Sequence, residues 1–423
     1  MSLHIIIDKS TFQSLNFEEI ILLHNYFRPN ITPILAMEIL GDLRKSFEGS
    51  AKASERVENF AKKLLPYNSA VNIFYMELLE GDLLTGEIPI DYTPVLGNSK
   101  LVKSESGKIG FRFSETSQEK AISRWRDGRF LEAEKELAQI WRETTTEKDL
   151  LENLKESLKN KSEIEEKFNS LDEINEYLID FLQETEQQEN ILIFIITEFG
   201  ITAESASKIL FRWSQTDKKS LKEFAPYAFH CCKVKMFFEF ALRNDLVGTR
   251  STNMLDLQYF YYLPFTKLFA SNDKFQKRFA PYLIDENQEF VDGIELKKDL
   301  NNLVEYRSTL FEKKDIERTQ TEPPRLPDSL TYKLWNKYFD WPPKYKRKIP
   351  PRPKEYIQEN MDEMYDAKQT TTTSAKQALN DVEFMVREFN LKPIDMCFCG
   401  SGKMFKDCHL PKDYKDDPKK YGW

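Results

Sequence analysis

The chain lacks any long apolar run. Its strongest interior stretch, ILIFII at 191–196, is far too short to cross a bilayer, and the N-terminal MSLHIIIDKS has neither a basic leader region nor a long apolar one. A soluble, unexported, cytoplasmic protein with no membrane partner is expected. Glycine is scarce, 14 of 423 residues, while charged residues reach 31 %, the balance of a helix-rich protein. Net positive charge is also missing. With 61 basic against 69 acidic side chains the chain carries -8, a field that repels nucleic acid unless cations gather locally, and this excludes a nonspecific nucleic-acid coat. Cysteine is rare, and three of the five crowd between 397 and 408, which points to a metal site in a reducing compartment rather than a disulfide framework.

Hydrophobic residues make up 40 % and aromatics 13 %, enough to bury substantial cores, and 423 residues exceed what one ordinary core organises. LHIII at 3–7 is a short β-branched run ending at Asp8 and reads as a buried strand followed by a turn; NFEEIILLHNYF is helical, 30–35 supplies a second strand, and AMEILGDLRKSF is helical again. The stretch from about 51 to 220 reads as overwhelmingly helical, with a loop or small hairpin in the Gly/Pro-containing segment 81–114. Residues 122–142 have the pattern of one tetratricopeptide-like hairpin, and the leucine-rich spacing over 146–185 that of an amphipathic helical hairpin serving as scaffold. A helix over about 221–243 carries His230, Cys231 and Cys232; consecutive cysteines point to different sides of a helix, so these read as buried structural thiols. The next segment begins as a helix at Asn253, breaks near Pro264 and passes through FTKLFA, a strand, into a turn at Ser271, Asn272 and Asp273.

From 325 to 354 nine basic residues (Arg325, Lys333, Lys337, Lys344, Lys346, Arg347, Lys348, Arg352, Lys354) face two acidic ones, a local balance of +7. Trp335, Tyr338, Phe339, Trp341 and Tyr345 are interleaved with them. Cations beside aromatic platforms suit single-stranded nucleic acid; an extended Pro-rich arm strapping two domains together fits the same residues equally well. The tract KQTTTTSAKQ at 368–377 reads as a spacer.

Hydrolysis of a phosphodiester needs an activated water and charge relief, which Mg²⁺ or Mn²⁺ held by clustered carboxylates supplies. Asp8 and Asp273 each follow an expected strand, the position of the pocket in an α/β sheet, although a lone Asp there more often caps a helix. Together IIIDKS, PILAMEIL, LDLQYFYYLPF and FASNDKF resemble the motifs of PIN-like nucleases. The resemblance implies that Asp8, Glu38, Asp256 and Asp273 bind the catalytic Mg²⁺ or Mn²⁺, with Ser10 or Asn272 supporting them and Asp42 assisting or merely solvated. It implies an α/β core, a parallel sheet flanked by helices, in a predominantly helical chain. Lys9 stands where the family commonly has a small hydroxyl residue, and 218 positions separate Glu38 from Asp256, so a large all-α insertion is expected to split the core. The expected organisation is core at 1–54, insertion at 55–220, core at 221–295, helical and basic arm at 296–390, and a zinc knuckle at 391–423.

That knuckle is CFCGSGKMFKDCHL, in which Cys397, Cys399, Cys408 and His409 offer three thiolates and an imidazole to one tetrahedral Zn²⁺, with Gly400 and Gly402 allowing the chain to fold between ligand pairs. It closely resembles the SEC-C motif, which implies a closed structural site and a docking module for a protein, ribosomal or nucleic-acid partner. Lys403, Lys406 and Lys412 give it a basic face. The expected activity is that of a metal-dependent nuclease, for which the PIN-like resemblance implies RNA favoured over DNA and a toxin or defence setting; the alternative is a non-catalytic interaction protein that recruits partners through the insertion and the knuckle.

Overall fold

The computed structural model describes residues 3–44, 50–64, 69–97, 99–103, 109–113, 116–146, 149–161, 167–310 and 313–339. It separates into two units, residues 1–309 and 310–423. The first is mostly helical and is organised on a five-stranded parallel sheet. With β1 as His4–Ile7, β2 as Arg28–Ile31, β3 as Ala70–Val71, a separate antiparallel hairpin of β4 (Ser99–Lys103) and β5 (Ile109–Phe113), then β6 as Leu268–Ser271 and β7 as Glu289–Asp292, the strand order is β3-β2-β1-β6-β7. Ile5 stands opposite both Pro29 and Leu268, which puts β1 at the centre.

Every residue of β1 and β6 is buried, so both faces of the sheet centre are covered and the strands read as continuous apolar runs rather than alternating ones. Ile5 and Ile6 are completely inaccessible, each stabilising the fold by roughly 1.5–3 kcal/mol through burial. Helix Phe17–Tyr26 opens with a capping box between Asn16 and Glu19 and packs against helix Gly293–Ser308. Helix Pro226–Arg243, with Cys231 and Cys232 fully buried as expected of structural thiols, packs on helix Tyr75–Thr85. Asp82 fixes that contact by accepting the N–H groups of Tyr227 and Ala228 (2.8 and 3.0 Å). The 3₁₀ segment Tyr259–Phe265, YFYYLPF, is buried at all seven positions and feeds β6, with Phe260 edge-on to Phe269 at 5.5 Å.

Two features depart from the expected organisation. The sheet takes its edge strand from Ala70 and Val71, inside the stretch 55–220 expected to be an all-α insertion, while the β4–β5 hairpin falls within 81–114, where a loop or small hairpin was expected. Helix Gly293–Ser308 belongs with the sheet rather than with an arm beginning at 296. The hairpin within 122–142 is present as helices Ser117–Arg126 and Glu132–Thr146, turning at Gly128 (φ 67°) and closed by an Arg124 to Glu134 ion pair.

In the second unit the described residues include helices Lys313–Arg318 and Leu330–Phe339, so this part of the basic arm is helical rather than extended. Lys344, Lys346, Arg347, Lys348, Arg352, Lys354, the spacer and the zinc knuckle lie outside the described residues.

Gly293 is where the two halves of the sheet edge meet. A Cβ there would overlap the Thr11 hydroxyl and the Asn272 side-chain oxygen, and Thr11 is buried and β-branched. Gly293→Ala is therefore expected to destabilise the protein by roughly 1–3 kcal/mol, read as a lowered denaturation midpoint. An unchanged midpoint would mean that helix Gly293–Ser308 is free to shift.

Candidate carboxylate site

Strand order reverses between β1 and β6, and in an open parallel sheet that reversal creates a crevice at the carboxyl ends of the strands. Asp8 and Asp273 both occupy that edge. The Asp8 N–H donates to the Ala270 carbonyl (3.1 Å), which ties the turn after β1 directly to β6.

Both aspartates cap helices. Asp8 precedes helix Lys9–Ser14, its Oδ1 accepting the Thr11 N–H (3.0 Å) and its Oδ2 the N–H (3.2 Å) and hydroxyl of Ser10. Asp273 precedes helix Lys274–Leu283, and its Oδ1 accepts from Phe275 and Gln276 (2.7 and 3.1 Å), leaving Oδ2 outside the cap. Capping does not exhaust a carboxylate, which offers about four acceptor positions. It does fix where the group points. Burial holds Asp8 above the usual carboxylate range despite the hydrogen bonds from Ser10 and Thr11.

Glu38 sits in helix Pro33–Leu40, started by the Thr32 cap and by Pro33 in its first turn. The Tyr259 hydroxyl donates to Glu38 Oε2, and Lys9 Nζ donates to the Glu38 carbonyl (2.6 Å). Burial pushes Glu38 up to about 7, against the pull of the Tyr259 hydrogen bond and the Lys9 charge. Asp256, in helix Asn253–Gln258, is pushed up to about 8, first by burial and then by the charges of Asp273, Glu38 and Asp8; Arg250 opposes. Its own carbonyl accepts from Gln276 Nε2 (2.9 Å), linking it to the helix that Asp273 caps. All four sequence-selected acids thus share one neighbourhood and one charge field. Among the described residues no group of three or more His, Cys, Asp or Glu side chains forms a ready metal cage.

The donor set suits a hard divalent cation. Mg²⁺ retains several waters and commonly takes only one or two carboxylates, so a closed cage is not required. Ser10 bonds Asp8, the supporting contact expected of it. Asn272 Oδ1 is buried at the Gly293 contact without a hydrogen-bond partner among the described residues. Asp42 is neither a solvated acid nor a spare ligand: at 1 % exposure it pairs with Lys9 (2.8 Å) and Arg56 (3.1 Å). Lys9 takes up that charge, a contact available to no small hydroxyl residue.

Sequence reasoning passed over Tyr259 and Asp292. The first lay inside an aromatic run that reads as core. Asp292 ends β7 and caps helix Gly293–Ser308, repeating the pattern of Asp8 and Asp273, but Lys277 pairs with it and holds it below the usual range. Its signal was the apolar pair Phe290 and Val291 followed by Asp-Gly.

The raised acids predict a pH dependence. Glu38 and Asp256 have folded pKa values above their unfolded ones, so from about pH 4 to about pH 8 the folded state retains protons that the unfolded state releases. Stability should fall as pH rises through that window, by on the order of a few kcal/mol. A divalent cation favours the ionised acids, so melting in chelator and in Mn²⁺ should diverge toward alkaline pH. Parallel curves would refute cation binding at these acids.

Compared with known proteins, residues 395–411 match the SEC-C motif, a zinc-binding module that spans Cys397, Cys399, Cys408 and His409. No curated protein and no solved structure matches the chain. No helix among the described residues is long and apolar enough to cross a membrane.

Proposed function

We propose that the protein is a metal-dependent nuclease of the PIN-like kind, an endonuclease favouring RNA, with a zinc-bearing docking module at residues 395–411. The observation that carries this reading is the meeting of Asp8, Glu38, Asp256 and Asp273, from four separate elements, at the reversal of strand order. Nothing in packing requires four acids there, and their mutual repulsion works against the fold. A cation makes such a concentration useful.

Bound Mg²⁺ or Mn²⁺ would supply an activated water and relief of phosphate charge. Asp8 and Asp273, oriented by their caps, are the residues to hold it, with Asp256 and Glu38 completing the field. Tyr259 fixes the Glu38 carboxylate, and Lys9 anchors its helix. The preference for RNA, and a role in a toxin or defence system, follow the tendency of PIN-like nucleases. At the other end of the chain, Cys397, Cys399, Cys408 and His409 fit a structural Zn²⁺ by donor type, three thiolates and an imidazole with no position left for chemistry.

The test is cleavage of end-labelled RNA and DNA by purified protein with Mg²⁺, Mn²⁺ or chelator. Metal-dependent cutting of RNA in preference to DNA supports the reading, and cutting of DNA alone would correct the substrate. The SEC-C match favours a second reading, a protein that recruits partners and does not cut. Intact substrate under all metal conditions would leave that one in place.

A further inference from the structure

Against helix Lys9–Ser14, which Asp8 caps, lies an open pocket of about 350 Å³ whose lining includes Gln13, Lys52, Glu55, Arg56, Phe60 and Lys63. Two elements build it. Helix Lys9–Ser14, which starts at Asp8, brings Gln13; helix Ser50–Lys63 presents positions 52, 56, 60 and 63, three or four residues apart and so on one face. Phe60 is its floor, 5 % exposed and stacked on Phe12 at 6.3 Å between ring centres. Lys9 Nζ, the Arg56 guanidinium and Lys63 Nζ stand 5.8, 5.9 and 6.0 Å from the Phe60 ring centre. With Lys52, four cations converge against Asp42 and Glu55 in a chain whose net charge is -8.

That concentration is costly without an anion. Burial lowers the Lys63 pKa, and the charge of Lys297 lowers it further while Glu19 opposes. Asp42 accounts for Lys9 and Arg56, which also ties the pocket to the acids, because the same Lys9 Nζ holds the Glu38 carbonyl. Lys52 is exposed, and Lys63 is secured by the Leu15 carbonyl (2.6 Å) and meets no carboxylate at ion-pair distance among the described residues. The five residue steps from Asp8 to Gln13 rise about 7.5 Å along a helix, and a stacked nucleic-acid strand advances about 3.4 Å per nucleotide along a duplex axis.

We propose that this pocket seats a backbone phosphate of single-stranded nucleic acid, one or two nucleotides from the bond presented to the acids. This deepens the nuclease reading and rests on it for the second clause. Phe60 is buried, so the pocket grips phosphate and does not stack a base. Specificity for base identity is not expected from it.

The experiment measures anisotropy of a short labelled single-stranded RNA, and its DNA equivalent, with the full chain in chelator across a salt series. Lys52→Glu and Lys63→Gln are compared with Lys208→Gln, a lysine on the distant surface helix Ala203–Ser214. Arg56 is left alone because it holds Asp42, and Lys52→Glu breaks no hydrogen bond or ion pair among the described residues. Each pocket variant should weaken binding about fivefold at 0.1 M salt and reduce the slope of log K against log salt by about 0.7, the loss of one single-strand phosphate contact. Lys208→Gln should change neither. Unaltered affinity and slope in both pocket variants overturns the pocket while leaving metal-dependent cleavage, assayed separately, to stand. Lysine-dependent binding without cleavage under any metal condition upholds the phosphate site and defeats the nuclease reading. Thermal stabilisation by inorganic phosphate that needs Lys52 and Lys63, with oligonucleotide binding indifferent to both, would assign the pocket to free phosphate and overturn the proposal.

Discussion

Asp8→Asn and Asp273→Asn are each expected to lower Mg²⁺- or Mn²⁺-dependent cleavage by at least about 10²-fold while leaving the fold intact. The reason for choosing Asn lies in the helix caps. Asn and Asp are equivalent N-cap residues, so the bonds from Thr11 to Asp8 and from Phe275 and Gln276 to Asp273 have an acceptor in either variant. What disappears is the charge and, at position 8, the second oxygen that accepts the N–H and hydroxyl of Ser10. Alanine removes the cap as well and should cost about 1 kcal/mol at either position, which separates loss of chemistry from loss of structure. Because Asp273 is the first charge acting on Asp256, Asp273→Asn should also weaken the repulsion there and flatten the decline of stability with pH in chelator. Full activity in either Asn variant would remove these residues from the site.

Cys397→Ser with Cys399→Ser is expected to take the zinc content from one ion per chain to none, measured by elemental analysis of protein purified without chelator. Structural zinc sites of this donor type bind with apparent free energies of about 10–16 kcal/mol near pH 7, so the wild-type site should survive dialysis. Acidification should release the ion, since thiolates and a neutral imidazole are the binding forms. Cleavage of a short naked oligonucleotide should persist in the double variant if the module only docks partners. Zinc-free wild-type protein would defeat the site. Loss of basal cleavage in a well-folded double variant would join the module to the catalytic assembly.

What was legible in the sequence was local. β1 and β6 announce themselves as apolar runs, each closely followed by an acid, and Pro264 lies in the 3₁₀ segment that ends the helical run begun at Asn253. Each of these depends on neighbours within a few positions. β3 is two residues long, and β7 leaves three of its four residues partly exposed, so neither produces a buried-strand pattern. Asp8, Glu38, Asp256 and Asp273 could be singled out only by resemblance, and their mutual charge field arises from the fold, which lays β1 against β6. Asp42 illustrates the limit: its partners Lys9 and Arg56 stand 33 positions before and 14 after it, and no periodicity joins them.

The arrangement of the sheet also sets a timetable. β1 receives β2 early, but its other neighbour begins 261 residues later, from Ile7 to Leu268. At roughly 5–20 residues per second, translation leaves the isoleucine-rich edge of β1 without that neighbour for on the order of 10 to 50 s. An apolar edge with unsatisfied backbone groups attracts other strands, which makes this interval the one in which a chaperone matters most. Asp256 and Asp273 emerge only near its close. A nascent chain that stalls before them carries Asp8 and Glu38 alone, so the four acids come together only when the late half of the sheet has docked.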